Sequence, residues 1–224
     1  MQNTPFDRYK KNVHSQNGED GVIAELLSRL NPDSGSESWC VEFGAWDGRH
    51  LSNTFLLVEK GWNAVYIEGD KIKYQDLLNT ARDYPKIIPV NNYVDRYSTD
   101  NFSLDSILSK TSLPKEFAVL SIDIDSYDLD VWESLAHYEP KIVIIEINSS
   151  APPGLIWRHS DRTTGNTFSA THRVGVHKGY TLVCHTGNMI FVKNGLLSKL
   201  DIEQRYIDFP ELLFLYDWVS LRSI

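Results

Sequence analysis

The chain has 224 residues, with 30 acidic and 22 basic side chains and a formal net charge of −8. This balance excludes a typical nucleic-acid-binding protein, because affinity for a phosphate backbone comes mainly from clustered Lys and Arg. Hydrophobic residues make up 42% of the chain, which is enough for a folded core, and no apolar run reaches the roughly 20 residues that a membrane span needs. We expect a single soluble domain, without a secretory signal in the polar residues 1–11.

Cys40 and Cys184 are the only cysteines, and each lies in an apolar, strand-like run. This pattern predicts two buried free thiols in a reducing, cytoplasmic compartment, with a disulfide or a metal pair as the alternative.

Short apolar runs alternate with amphipathic segments along residues 19–147. The first helix is predicted over residues 19–30, where five aliphatic residues share one face and Asn31-Pro32 ends the pattern. Strands are predicted at residues 39–43, 64–68, 87–91, 117–124 and 142–147. The helices between them are predicted at residues 53–60, 71–81, 104–110 and 127–138. This alternation predicts an α/β fold whose parallel sheet carries helices on both faces.

The pattern changes after residue 149. Residues 149–166 read as a long loop, followed by a helix at 168–178 and a hairpin of strands at 180–185 and 189–193. The chain then divides into a helical extension (1–32), a core (39–195) and an aromatic tail (196–224) within one domain. We expect the tail to pack on the core or in a homodimer interface, with a lid over the substrate as the alternative.

The first predicted strand runs into a glycine-containing turn, Glu42 to Gly48. Glycine at such a turn lets the backbone approach a ligand. Only Gly44 and Gly48 match glycine positions of the dinucleotide fingerprint, and the bulky Trp46-Asp47 pair obstructs a pyrophosphate. The turn therefore favours a cationic or hydroxyl-rich ligand, with a tight turn that binds nothing as the alternative.

Glu68 ends the second predicted strand, at close to the ~20-residue offset from Gly44 at which a carboxylate binds ribose hydroxyls. A glutamate at the tip of an apolar strand needs a partner. The alternatives to ribose are a backbone N–H and Lys71.

Four oxygen-bearing side chains end the fourth and fifth predicted strands. Asp123 and Asp125 alternate along one strand, and Glu146 and Asn148 alternate along the next. In extended strands each pair points to one face, so the four residues are expected to cluster. Two close carboxylates repel unless a cation or a shared proton intervenes, which predicts a divalent metal or a general base. The alternative for Asp125 is capping of the following helix, a role that Ser126 would also fit.

The segments Glu42–Gly48, Ile67-Glu68, Asn91 and 121–127 resemble FkbM-like class I S-adenosylmethionine-dependent methyltransferases. The likeness spans roughly residues 14–195 and includes Ser15 to Asp20 and Lys178-Gly179-Tyr180. The Asp-x-Asp-x-Tyr stretch from Asp123 is also similar to macrocin (TylF)-type metal-dependent sugar O-methyltransferases.

The resemblance implies a Rossmann-like methyltransferase fold, with a mostly parallel seven-stranded sheet whose last strand is antiparallel. It implies that S-adenosylmethionine is held by Glu42, Gly44, Ala45, Trp46, Asp47, Gly48, Glu68, Asn91 and Asp123. It assigns a divalent cation such as Mg²⁺ to Asp123 and the role of general base to Asp125, and Glu146 and Asn148 at the end of the fifth strand are the candidates to complete the metal site. The macrocin-type enzymes carry an Asp-Asp pair on the fifth strand, where this chain has Glu146-Ile147.

Residues 158–178 form a basic patch in an acidic chain. Arg158 and Arg162 are candidate ligands for a phosphate or carboxylate on the acceptor, with an ordinary solvated surface as the alternative. His159 is the alternative general base, because it lies just past the fifth strand.

The preferred interpretation is an S-adenosylmethionine-dependent methyltransferase that acts on a hydroxyl of a small-molecule or glycan acceptor containing sugar. N-methylation of an amino sugar is a close variant. A nicotinamide-dependent oxidoreductase and a non-catalytic nucleoside-binding module remain as alternatives.

Overall fold

The computed structural model describes residues 4–30, 38–96 and 102–219. The strands are β1 (Trp39–Phe43), β2 (Asn63–Glu68), β3 (Ile87–Asn91), β4 (Glu116–Ile122), β5 (Glu139–Glu146), β6 (Tyr180–His185) and β7 (Asn188–Lys193). The α-helices are α1 (Glu19–Leu30), α2 (Phe55–Glu59), α3 (Lys71–Asp83), α4 (Leu104–Leu108), α5 (Asp128–Ser134), α6 (Phe168–His177) and α7 (Gln204–Asp208). The described residues also contain four short 3-10 helices, at Asp7–Tyr9, Asn194–Lys199, Pro210–Leu213 and Tyr216–Trp218.

The seven strands form one sheet in the order β3-β2-β1-β4-β5-β7-β6. Strands β1 to β5 pair in parallel, whereas β7 runs antiparallel to both of its neighbours. The expected seven-stranded sheet with an antiparallel last strand is therefore confirmed. The order reverses between β1 and β4, and ligands bind at such a switch point, beside the carboxyl ends of the strands.

Helices cover both faces of the sheet, as the apolar strands require. One buried cluster joins apolar side chains of α1, α2 and α3 to the sheet, and the other joins those of α4, α5 and α6. In α1 the predicted face is buried, and both cysteines are free and buried, as expected. The predicted end of α1 at Asn31-Pro32 lies outside the described residues. No helix in the described part of the chain is long and apolar enough to cross a membrane.

Several predicted elements are longer than the observed ones, and two of these differences lie next to the strand ends that carry the candidate site. Strand β4 ends at Ile122, not at residue 124, because the backbone of Asp125 turns to a φ of 58°. Helix α5 covers only Asp128–Ser134, since Leu135 is extended. The prediction that an extended strand puts Asp123 and Asp125 on one face is therefore wrong, and a tight loop places them instead.

Candidate active site

Gly44 begins the turn after β1 and fits between two neighbouring strands. Its backbone N–H donates to the Ile67 carbonyl of β2 at 3.1 Å. Its φ is +77°, and a Cβ added there would lie only 1.7 Å from the carbonyl oxygen of Asp123. A side chain at this position would displace the loop after β4, so glycine is required by both conformation and space.

The Glu68 carboxylate is buried at the end of β2 and fixes the turn after β1. One of its oxygens accepts the Trp46 N–H at 2.8 Å, and the other accepts the Asp70 N–H at 2.7 Å. A backbone N–H, one of the alternative partners predicted for Glu68, is therefore present at both of its oxygens. Because a carboxylate has about four acceptor positions, Glu68 can still accept two hydroxyl groups.

A cavity of about 340 Å³ lies at the carboxyl ends of β1, β2 and β4, and we call it the β2 cavity. Its lining includes Gly44, Glu68, Asp70, Lys73, Tyr93, Asp123, Asp125 and Ser126. Of the residues predicted to hold the cofactor, this cavity therefore includes Gly44, Glu68 and Asp123. Lys73 and Tyr93 were not predicted, because neither follows a motif that points to a ligand.

Three of the residues predicted to bind the cofactor make contacts within the protein and do not line the β2 cavity. Asn91 donates its side-chain amide to the Glu68 carbonyl at 2.8 Å and so ties β3 to β2. Asp47 accepts the N–H groups of Arg49 and His50 within the turn. Gly48 has a φ of +77°, and a Cβ there would lie 2.8 Å from Leu77 of α3. None of the three is among the residues that line the β2 cavity.

Two further residues of the turn after β1, Trp46 and Ala45, also lie outside the lining of the β2 cavity. The exposed Trp46 ring packs beside Lys73, whose Nζ lies 4.8 Å from the ring centroid. The buried Ala45 donates its N–H to Ile67 at 3.2 Å and packs among apolar residues. Both positions shape the turn without lining the β2 cavity.

Glu42 is buried in β1 and bonds to the segment before α2. Its carboxylate accepts the Ser52 hydroxyl at 2.8 Å and both the N–H and the hydroxyl of Thr54. Burial raises the pKa of Glu42 above its ordinary value. Because Glu42 lines neither the β2 cavity nor the second cavity described below, its position favours a structural role over direct cofactor contact.

Asp123, Asp125 and Glu146 form an acidic triad where β4 and β5 end. One carboxylate oxygen from each lies within 4.8 Å of the others. This spacing suits the coordination of one hard cation. The predicted cluster therefore exists, although Asp125 reaches it through its left-handed backbone and not through strand alternation.

Burial raises the pKa of Glu146 to about 9 and that of Asp123 to about 7, and repulsion among the neighbouring acids adds to both shifts. A carboxylate oxygen of Asp123 and one of Glu146 lie within 4.8 Å of each other, so the proton that Glu146 retains is held next to the Asp123 carboxylate. The triad therefore holds a proton near neutral pH and is poised to accept positive charge.

Asp128 shapes the loop that carries the triad. Its two carboxylate oxygens accept the N–H of Ile124 at 2.8 Å and that of Ser126 at 2.9 Å. The cap of α5 is Tyr127, so the capping role considered for Asp125 and Ser126 is not observed. Asp125 is the exposed member of the triad.

A second cavity, of about 510 Å³, adjoins the triad, and we call it the β5 cavity. It is lined by Gln16, Asn17, Leu51, Asn53, Asp123, Asp125, Asp128, Glu146, residues 147–150, Thr164, Gly165, Gly187, Asn188 and Trp218. Asp123 and Asp125 line both cavities and therefore form their common boundary. No sequence motif indicates that Leu51, Asn53 and Trp218 meet here.

Asn148 lies at this cavity but is occupied by loop contacts. Its amide nitrogen donates to the Thr164 carbonyl at 2.9 Å, and its side-chain oxygen accepts from Ser150 at 2.5 Å. Asp125 supplies a third carboxylate oxygen close to those of Asp123 and Glu146, and the predicted role of Asn148 as a metal ligand stays a prediction.

The predicted basic residues lie away from both cavities. Arg158 forms ion pairs with Glu133 and Asp130 of α5, and these carboxylates raise its pKa above the ordinary value. Arg162 is exposed on the long loop. The His159 ring packs edge-on against Tyr127 with centroids 4.8 Å apart. None of these three lines either cavity, so their positions do not favour an anion site or a second base.

Comparison with known proteins identifies the fold. No family model and no curated protein matches the chain. The CMeT domain of the citrinin polyketide synthase matches with a TM-score of 0.50 and 13% identity, covering 81% of this chain. A putative O-methyltransferase from Klebsiella pneumoniae matches with a TM-score of 0.49 and 10% identity, covering 85% of this chain and 86% of that one.

The chain spans 55% of the length of the citrinin synthase structure that it matches. At this identity the likeness shows the fold alone. Together with the strand order and the antiparallel β7, it shows that the chain has the Rossmann-like methyltransferase fold.

Proposed function

We propose that the protein is an S-adenosylmethionine-dependent methyltransferase. The observation that carries this proposal is the pair of adjoining cavities that share Asp123 and Asp125 as their boundary. Group transfer requires a donor and an acceptor to be held side by side, and positioning supplies much of the rate enhancement. The β2 cavity takes the donor and the β5 cavity takes the acceptor.

The β2 cavity suits the nucleoside of the donor. Glu68 is locked by two backbone N–H groups and keeps acceptor positions for the two ribose hydroxyls. The sulfonium carries a positive charge, and the acids at the boundary of the cavity match it. Gly44 supplies a bare backbone where the methionine part of the donor would pass.

Asp125 is the general base in this proposal. It is exposed and lines both cavities, so a donor methyl group and an acceptor hydroxyl can meet beside it. The acceptor oxygen attacks the methyl carbon, the carbon–sulfur bond breaks and sulfur keeps the electron pair as a thioether. The hydroxyl proton passes to Asp125.

Asp123 and Glu146 fit a divalent cation, with Asp125 close enough to be a third ligand. Hard cations such as Mg²⁺ prefer carboxylate oxygens, and the raised pKa values show that the triad lacks compensating charge. A bound cation would make an acceptor hydroxyl more acidic. A carboxylate that ligates through one oxygen keeps the other to accept a proton, so Asp125 serves in both cases.

Sugar O-methylation is the acceptor chemistry that we propose, and it rests on the resemblance to FkbM-like and macrocin-type enzymes. The polar and acidic lining of the β5 cavity supports a hydroxyl-rich acceptor. An amine acceptor would suit the same acids.

Calorimetric titration with S-adenosylmethionine and, separately, with NADH tests the proposal. We expect S-adenosylmethionine to bind, and binding to weaken at least about tenfold in Glu68→Ala, because two charge-assisted hydrogen bonds are lost. Asp76→Ala is the matched control, since Asp76 is exposed on α3 and outside the cavity. Binding of NADH in place of S-adenosylmethionine would overturn the proposal.

A further inference from the structure

Trp218 lines the same cavity as the acidic triad, although it lies almost 100 residues from Asp123 in the chain. Its indole packs against the turn between β6 and β7, where a Cβ added to Gly187 would lie 2.9 Å from the Trp218 ring. The side chain nevertheless stays 39% exposed. The residues that the structure describes thus leave part of the Trp218 side chain uncovered beside the cavity.

Contacts with the core fix the segment that carries Trp218. The Leu215 N–H donates to Nδ1 of His185 at 3.0 Å, and the Phe214 ring stacks on the His185 ring with centroids 4.8 Å apart. His185 is fully buried, and burial lowers its pKa to about 3, so the imidazole is neutral. Because Nδ1 accepts a hydrogen bond, Nε2 carries the proton and donates to the Ser149 hydroxyl at 2.9 Å. Ser149 itself lines the cavity, so one buried network positions both the cavity wall and the approach to Trp218.

The opposite end of the chain supplies polar groups to the same cavity. Gln16 and Asn17 precede α1 and line the cavity. Glu19 fixes their segment by accepting the Asn17 N–H and, through its other oxygen, the Thr186 hydroxyl. The segment is therefore bonded to the β6–β7 turn on which Trp218 packs.

The lining carries no basic side chain among the described residues, whereas four carboxyl groups face it. As long as no cation occupies the triad, a phosphate or carboxylate at this place would meet repulsion without compensation. Amides and carboxylates bind hydroxyl groups, and an indole face packs against an apolar ring face. The cavity therefore suits a ring that carries hydroxyls and no negative charge.

We propose that Trp218 is a specificity-determining residue, the platform against which a hydroxylated ring without negative charge packs in the β5 cavity. The inference rests on the proposed function, because it assigns the β5 cavity to the acceptor. A pyranose and a phenol share the required chemistry. The experiment separates them.

The test uses the full chain, in which all six tryptophans are replaced by 5-fluorotryptophan. Trp218→Phe assigns the Trp218 fluorine resonance. The probes are methyl α-D-glucopyranoside, catechol and glucose 1-phosphate, each at millimolar concentration in metal-free buffer, with and without S-adenosylhomocysteine. We expect a neutral ring to shift the Trp218 resonance in a saturable way and glucose 1-phosphate to leave it in place. A shift with the glucoside would support a sugar acceptor, and a shift with catechol would support a phenolic acceptor.

Variants check that the shift reports binding at the platform. For a probe that binds, calorimetry is expected to show about tenfold weaker affinity for Trp218→Ala and nearly full affinity for Trp218→Phe. Tyr216→Ala is the matched control, because Tyr216 is exposed in the same 3-10 turn but lies outside the β5 cavity.

Three outcomes overturn the inference: no neutral ring shifts the resonance, glucose 1-phosphate shifts it instead, or Trp218→Ala binds as tightly as the unmodified chain. In each of these, binding of S-adenosylhomocysteine would leave the proposed function intact. Failure of S-adenosylhomocysteine to bind would count against the proposed function itself.

Discussion

A carboxylate oxygen of Asp123 and one of Glu146 lie within 4.8 Å of each other where the neighbouring parallel strands β4 and β5 end. Burial raises both pKa values, that of Glu146 from the ordinary 4.5 to about 9. The folded protein therefore keeps a proton that the unfolded chain releases above about pH 4.5. Stability is consequently expected to fall as the pH rises from that value through 9.

Glu146→Gln removes this pH dependence, because the amide remains a hydrogen-bond donor without a titratable proton. At pH 8 we expect the variant to be more stable by about 1 kcal/mol, or ~2–4 °C in Tm, and at pH 5 to match the unmodified chain. Thermal unfolding across this pH range measures both. Glu116→Gln, at the exposed start of β4, is the control and is expected to show no such change. Equal effects of Glu146→Gln at both pH values would contradict the shared proton.

Gly44→Ala is expected to destabilise the fold severely. The substitution combines a positive φ of +77° with a clash against the Asp123 carbonyl. Gly154→Ala is a matched control, because Gly154 has a φ of +98° but no atom within 4 Å of the added Cβ. Strain alone costs about 1–3 kcal/mol, so denaturant unfolding should show a clearly larger loss for Gly44→Ala. Equal losses would mean that the loop after β4 yields easily.

The fold could be predicted largely from the sequence. Strands β4 and β5 contain continuous apolar runs at residues 117–120 and 142–145, and the segments between the strands carry apolar residues at helical spacing, so a doubly covered sheet follows. The ends of elements could not be predicted as well. The left-handed turn at Asp125 depends on backbone N–H groups that Asp128 binds, and such a local contact leaves no periodic signal.

The site could be predicted only in part. Residues at strand ends, such as Glu68 and Asp123, share one edge of a parallel sheet by topology, so their proximity follows from the fold. Trp218 reaches the site through tail packing on His185, which no sequence spacing encodes. Arg158 was a plausible anion ligand by composition, but the α5 carboxylates that pair with it are distant in sequence.

Asp125→Asn is expected to lower the rate of methyl transfer by about 10²–10⁴-fold, because the amide cannot accept the acceptor proton. The Kd for S-adenosylmethionine should rise far less than the rate falls, because Asp123 still faces the sulfonium and Glu68 still binds the ribose. Formation of S-adenosylhomocysteine with a panel of glycosides measures the rate, and His159→Ala serves as the control with an unchanged rate. Full activity of Asp125→Asn together with loss in His159→Ala would transfer the role of base to the histidine.

Mg²⁺ or Mn²⁺ is expected to bind the acidic triad with release of a proton, since Glu146 is protonated near neutral pH. Calorimetry in buffers of different ionisation enthalpy detects both binding and proton release. The Asp123→Asn, Glu146→Gln double variant should lose the binding. If the unmodified chain binds neither ion, the proposed cation site is wrong, and Asp125 would act as the base without a metal.

A crystal structure of the complex with S-adenosylhomocysteine tests the central claim most directly. We predict that the ribose hydroxyls donate to the Glu68 carboxylate, and that the sulfur lies at the boundary between the cavities, next to Asp125. A nucleoside bound outside the β2 cavity, or one whose sulfur faces away from the acidic triad, would contradict the account.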